Sequence, residues 1–497
     1  MLCRWPSLFI PYVDIDEVLW GLTANAIVDG HPPYQAVMGE KPPLLYLSYA
    51  AIFSLFGKHN YFAMHVFGII WMALTSFIIA HLVKRYASNK TAFFAGATYI
   101  FFGSASGFRM LATTGELMMN LFLVGSTLIF LIGFEEKNYR KIIIAGALAT
   151  LAGMFRQQSL IQIGAYVGFL VVLLFTEEIN KKRVLQFFKM IASLLLGCFV
   201  IVATCLLYIH LSGAMEDFYL WVIKHNYFYI KSGFANGHVL RNFIHRTGLV
   251  LATTLPLWLL VIKRIKFALA LPWQPNVTKR RFEILIWLYL IVSLVAATPG
   301  GRFFPHYFLQ AFPPLCILAA LELFESKQRP SRFFLGLTSL YTILILCNTP
   351  LIFWEMTIND KGDYSAANRV VGEYVKERTT AQDRIFIWGW AQGIYYYSDR
   401  DPATRFISTD FLTGRSPSQN DELDPDTSAN ITPGSWDMLF KDFEKHKPTY
   451  ILDTTPGNYH GYGIYPLHEF PQLSDFIKNN YSFEKQVEGV DLYRIKK

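Results

Sequence analysis

Residues 62–84 read FAMHVFGIIWMALTSFIIAHLVK, and no Asp, Glu, Lys or Arg interrupts them before the closing Lys84. A helix of that length rises about 1.5 Å per residue, enough to cover the ~30 Å hydrocarbon layer of a bilayer. Comparable apolar runs recur at 91–106, 115–134, 141–156, 160–176, 187–210, 247–264, 282–297, 307–324 and 333–355. The pattern predicts ten membrane crossings. A soluble helical core of this size would not produce long apolar runs separated by short basic loops. Composition agrees: the 497 residues are 53% hydrophobic and only 16% charged, against about 25% charged in ordinary soluble chains.

The loops at 81–90, 135–141, 177–186, 263–281 and 325–332 together hold 18 Lys and Arg. Such an excess marks cytoplasmic loops, so residues 1–61 and the tail from about 357 are expected on the non-cytoplasmic side. The net charge of +8 is mostly this topological signal, and no nucleic-acid partner is needed to explain it. Met1–Pro11 is too short for a span or a complete signal peptide, which predicts a first span missing upstream. Cys198, Cys205, Cys316 and Cys347 lie in spans, Cys3 lies near the start, and the tail has none. That excludes a disulfide framework or a cysteine-based zinc site in the tail.

Outside the spans, residues 12–41 read as a polar, acidic loop, and Pro42–Gly57 as a short apolar helix lying in the interface. Residues 211–246 form a long outer segment rich in aromatics and bases, and long loops in compact domains are usually functional. In the tail, 364–378 and 435–446 read as helices, and 384–390, 450–453 and 486–495 as strands, with a Pro/Asp/Ser-rich loop at 414–435. These segments make a small α/β domain with neither a Gly-rich phosphate loop nor a nucleophile elbow, so it reads as an accessory. The expected organisation is a non-cytoplasmic acidic loop and interfacial helix (1–61), a transmembrane domain (62–356) and a soluble domain (357–497).

Four clusters could carry chemistry. Asp14, Asp16 and Glu17 precede an apolar helix; one acid would suffice as a helix cap, and the others could serve as a general base or metal ligand. Lys41, in Glu40–Lys41–Pro42–Pro43, sits where it could hold a lipid phosphate or simply snorkel. Arg109 and Glu116 flank a span start and could pair with each other or with a ligand. Arg302, His306 and Tyr307, in GGRFFPHY, could bind an anion through a guanidinium fork or form an aromatic-anchored helix end.

In order, the acidic start, EKPPLLY (40–46), TTGELMMN (113–120) and GRFFPHYFLQAFPP (301–314) resemble the GT-C superfamily of membrane glycosyltransferases. The nearest likeness is to the protein O-mannosyltransferase type (glycosyltransferase family 39) and to the aminoarabinose and galacturonate transferases of lipopolysaccharide. The tail segment RIFIWGWAQGIYYYSDRDPATRF (384–406) fits bacterial members. The resemblance implies transfer of a sugar from a polyprenyl-phosphate donor to a glycan, lipid A or protein acceptor, in a bacterial inner membrane. It assigns Asp16 as catalytic acid residue, with Glu17 beside it, and Lys41 as donor-phosphate ligand. Glu40 and His225 match a Glu and a His that hold a divalent metal in aminoarabinose transferases. Those enzymes carry an Arg shortly after the His; here the chain reads HNYFYIK (225–231), so Lys231 or Arg302 would have to supply that charge. A lipid-linked glycan polymerase or ligase and a transporter or flippase are the competing functions. The early acidic loop argues against the first, and the absence of a repeat or midplane charges against the second.

Overall fold

The computed structural model describes residues 3–105, 108–176, 180–235, 238–269, 276–326, 336, 338–344, 365–415 and 427–496. Helix α1 (Ile15–Val28) replaces the polar loop expected at 12–41, because the Asp14 side chain caps its first turn by accepting from Asp16 N. Helix α2 (Pro43–Phe56) is the short apolar helix, with Pro at its first position, where no amide hydrogen is needed. Five segments are long and apolar enough among the described residues to cross a bilayer: α3 (Tyr61–Lys84), α5 (Gly115–Glu135), Gln157–Thr176 (ending in α7, Gln162–Thr176), α8 (Lys181–Leu211) and Pro305–Glu325. Three more predicted spans, 91–106, 141–156 and 282–297, are helical over their described residues but shorter or charged at one end. Helix α4 (Asn89–Ala105) has 17 residues and α6 (Tyr139–Gly153) has 15. The segment Val277–Ala296 opens on Lys279–Arg280–Arg281. The tenth predicted span, 333–355, lies largely outside the described residues.

Two expectations need correction. The seventh span, 247–264, is broken: Val239–Thr253 and Leu255–Ile265 meet at 91°. Pro256, the second residue of the second helix, has no amide hydrogen to give the carbonyl four residues back, so the chain turns at Thr254. The described residues of 211–246 are mostly helical rather than a loop, with wide-turn π segments at Tyr219–Lys224 and Phe243–Thr247 around a helix at His225–Ala235.

Helices α6 and α8 touch backbone to backbone. A Cβ on Gly197 would lie 2.0 Å from Ile143 O, and one on Gly146 would lie 2.1 Å from Leu194 O. Without a hydrophobic drive between helices in lipid, this close small-residue packing is what joins them. The outward face of α8 is apolar and exposed, Phe199 and Leu211 among it, as a lipid-facing surface requires. At one end of the bundle the basic loops gather through Arg85–Glu135, Lys141–Glu136 and Lys279–Glu325. The opposite ends of the same helices converge on the candidate site.

The C-terminal unit is a five-stranded sheet. Strand β1 (Arg384–Trp388) is an interior strand, fully apolar after its first residue; it runs parallel to β2 (Asp401–Pro402) and to β3 (Tyr450–Asp453). The expected strand 486–495 is instead a hairpin of β4 (Tyr481–Val487) and β5 (Val490–Ile495), giving the order β2-β1-β3-β5-β4. Glu488 and Gly489 both take positive φ at its tip, the geometry a two-residue hairpin turn demands. Phe386 and Trp388 of β1 pack on Phe443 and Trp436 of the helix Ser435–Lys445.

Candidate active site

Successive residues on a helix point about 100° apart, so the neighbours Asp16 and Glu17 face different surroundings. Asp16, with the capping Asp14, lines a cavity of about 270 Å³. Glu17 is fully buried and turned away from it. Its Oε1 accepts from Thr113 N (2.7 Å), and its Oε2 accepts from Val13 N (2.8 Å) and His65 Nε2 (3.0 Å). Beside it, Arg4 donates to the carbonyls of Met110, Leu111 and Ala112. Glu17 thus ties the start of α1 to the segment leading into α5, and is not among the residues that line the cavity, although the resemblance put it beside the catalytic acid.

The Glu40–Lys41 turn forms the next part of the wall. Tyr34 OH donates to Lys41 O, Lys41 N donates to Tyr46 OH, and Asn226 Nδ2 donates to Glu40 O at 2.7 Å. Lys41 is ion-paired with Glu40, and His225 Nε2 stands 3.5 Å from the other carboxylate oxygen. Burial favours the neutral acid, but the Lys41 ammonium and His225 outweigh it and hold the Glu40 carboxyl far below its ordinary range. Glu40 and His225 therefore meet, as the resemblance implied. The Glu40 carboxylate is already paired with an ammonium, and among the described residues no group of three or more His, Cys, Asp or Glu could hold an ion.

At the start of α5, Glu116 pairs with Arg156 and lies 3.9 Å from His306 Nε2. The side chain of Arg109, its expected partner, lies outside the described residues. Arg156 is brought in by Gly115, where a Cβ would sit 2.9 Å from both Arg156 Cγ and Phe155 O. Its guanidinium is 5.1 Å from the centre of the Tyr307 ring. Burial opposes its charge, while Glu116 more than compensates and raises its pKa further. His306 and Tyr307 both line the cavity. Arg302 does not: it is 2% exposed and its guanidinium lies 3.9 Å from the centre of the ring of Tyr229, a wall residue. Lys231 is exposed and also outside the lining.

The remaining wall comes from the C-terminal unit, which the sequence pattern made a mere accessory. Trp390, Ser408, Asp410, Phe411, Arg415 and Asn430 all face the cavity. The Phe411 ring lies 4.7 Å from that of His225, and Arg405 clasps both Asp217 of the helical part (3.6 Å) and Asp442 (3.0 Å). Tyr462 OH donates to Asp410, and Arg415 lies over the Tyr462 ring at 4.4 Å. Burial, opposed by Arg415 and reinforced by Glu40, lifts the Asp410 carboxyl well above its usual range. Arg156 and Asp410 were not singled out from sequence. Arg156 had one visible signal, a base closing an apolar run at MFRQQ (154–158); Asp410 had none.

An apolar helix bundle whose one end forms an acid- and base-lined cavity, covered by a C-terminal sheet unit, is a fold that this chain shares with solved membrane proteins. Residues 40–208 match the family described as dolichyl-phosphate-mannose-protein mannosyltransferase. ArnT from Cupriavidus metallidurans bound to undecaprenyl phosphate superposes with a TM-score of 0.59 at 13% identity, covering 99% of this chain and 95% of that one. Its apo state gives 0.60 at the same identity and coverage. The archaeal oligosaccharyltransferase AglB from Archaeoglobus fulgidus, in complex with an inhibitory peptide and a dolichol-phosphate, gives 0.50 at 14% identity, covering 100% of this chain and 72% of that one. No curated protein sequence matches the chain.

Proposed function

We propose that this protein is an inverting glycosyltransferase that moves a sugar from a polyprenyl-phosphate donor to a hydroxyl group on a glycan, lipid or protein, at the non-cytoplasmic face of a bacterial plasma membrane. The observation that carries this reading is one cavity, at one end of the apolar helices, lined by Asp16 together with Lys41 and Arg156. The likeness to ArnT, whose structure holds undecaprenyl phosphate, supports a lipid phosphate as the anionic ligand.

Asp16 takes the proton from the acceptor hydroxyl, which attacks the anomeric carbon from the face opposite the phosphate. The bond to the phosphate oxygen breaks with the electron pair leaving on the lipid phosphate, and the anomeric configuration inverts through an oxocarbenium-like centre. Lys41 and Arg156 stabilise the departing phosphate. Each already has a carboxylate partner, but an ammonium carries three donors and a guanidinium five, so donors remain for the anion. These preorganised cations cost no reorganisation at the moment of bond breaking. Arg302 acts from behind, stacked on Tyr229, and Lys231 has no part.

Vesicles containing the protein, supplied with a labelled polyprenyl-phosphate hexose, test the assignment. Asp16→Asn is expected to bind the donor and fail to transfer, whereas Lys41→Ala loses donor binding. Full transfer by both variants would sink the proposal.

A further inference from the structure

The segment Trp388–Gly389–Trp390 sends two tryptophans to opposite fates. Trp388 is fully buried, packs on Trp436 and Phe470, and donates from Nε1 to Tyr465 O at 2.9 Å. Gly389 then takes φ +118, and a Cβ there would lie 1.9 Å from Thr454 Oγ1. Only glycine allows this turn, which ends β1 and delivers Trp390 into the cavity. The Trp390 indole is half-buried, and among the described residues no ring is stacked against it. A large aromatic face left uncovered in a polar cavity is an unusual use of so much apolar surface.

Close along the same wall stands Asp410, held by Tyr462 OH and by Ser408 Oγ at 3.4 Å. The four-residue turn Asp410–Thr413 that carries it is closed by Gly414 at φ +75, where a Cβ would strike Thr427 O. Its field reaches Glu40 and Arg302, so it lies within electrostatic range of the group proposed to hold the phosphate. A sugar joined to that phosphate has two kinds of surface: a C–H face that suits an aromatic plane, and hydroxyls that suit a carboxylate. The wall offers both.

We infer that Trp390 and Asp410 form a subsite for the donor's sugar ring, Trp390 against its C–H face and Asp410 accepting from its hydroxyls, so that the C-terminal unit sets sugar specificity. This rests on the proposed glycosyl transfer and adds to it a division of labour: loops of the helical part hold the phosphate, and the sheet unit reads the sugar.

The test compares two probes on the detergent-solubilised full chain with no acceptor present: undecaprenyl phosphate, and undecaprenyl phosphate carrying a hexose. Trp390→Ala is expected to weaken the glycosylated lipid about tenfold and leave the bare lipid unchanged. Trp390→Phe, which keeps a ring, restores most of that loss. Asp410→Asn is expected to weaken the glycosylated lipid roughly 10- to 100-fold, again with the bare lipid unchanged. Unchanged binding of the bare lipid also shows that each variant is folded. Equal loss for both lipids, or no loss for either, overturns the subsite. An effect that appears only in acceptor KM during transfer overturns it as well, since the wall would then read the acceptor. Failure of the underlying function looks different: Lys41→Ala would bind the bare lipid as the native protein does.

Discussion

Asp16 and Glu17 are adjacent carboxylates, and the structure gives them opposite phenotypes. Glu17→Ala removes an acceptor that three donors share at 2.7, 2.8 and 3.0 Å in a fully buried site. Hydrogen bonds to a charged group contribute about 1.5–3 kcal/mol each, but they do not add freely. Leaving a buried donor without its acceptor costs about 1–3 kcal/mol, and for three such donors we expect a loss of about 3–5 kcal/mol. Glu17→Gln should fall between the two. Both carboxylate oxygens accept, so either orientation of the amide turns its NH2 toward the Val13 and His65 donors or toward the Thr113 donor. Asp16→Ala alters a cavity-lining side chain and should change stability by less than about 1 kcal/mol, while lowering transfer by roughly 10²–10⁴-fold, the usual worth of a general base. Thermal unfolding in detergent, with transfer measured on the fraction that remains folded, separates the two. A Glu17→Ala protein that melts like the native chain yet transfers nothing would refute this reasoning and return Glu17 to the reacting surface.

Gly197→Ala is expected to push α8 off α6 and lower both folded yield and melting temperature, because its Cβ would meet Ile143 O at 2.0 Å; Gly125→Ala, whose nearest neighbour is Leu148 Cδ1 at 4.0 Å, serves as the neutral control. Asp453 gives a pH dependence. Burial raises its carboxyl from 3.8 to about 6 against the bonds from Thr455. The fold therefore keeps a proton that the unfolded chain releases, so stability falls as pH rises between those two values and stays lower above them. Asp453→Asn should flatten that slope and raise stability at pH 7 by at most about 3 kcal/mol, the worth of the two-unit shift, read as a higher melting temperature. A slope unchanged in the Asn variant would remove Asp453 as its source.

What could be read in the sequence followed local signals. Apolar length placed the helices α3, α5 and α8, and the pair Pro42–Pro43 placed the start of α2. The acid-rich start pointed to Asp16, Lys41 came from its neighbouring Glu and prolines, and His306 and Tyr307 from their glycine- and aromatic-rich loop. What escaped depends on contacts distant along the chain. Glu116 meets Arg156 forty residues on, so proximity in sequence suggested Arg109 instead. Asp410 enters the cavity only after β1 and its neighbours have formed a sheet, and no local pattern announces that. The hairpin β4–β5 hid inside one apparent strand because Glu488–Gly489 carries little turn signal beyond its glycine.

The clasp of Arg405 on Asp217 and Asp442 has a consequence for the order of assembly. The chain meets every helical contributor to the cavity by Tyr307, yet Ser408, Asp410 and Asn430 arrive only much later in synthesis. A partly made chain would therefore display its acids and bases to the surroundings without an enclosing wall. The cavity wall is complete only once the segment carrying Asn430 has folded, and Arg405 is the fastening that turns an inserted bundle into a finished vessel.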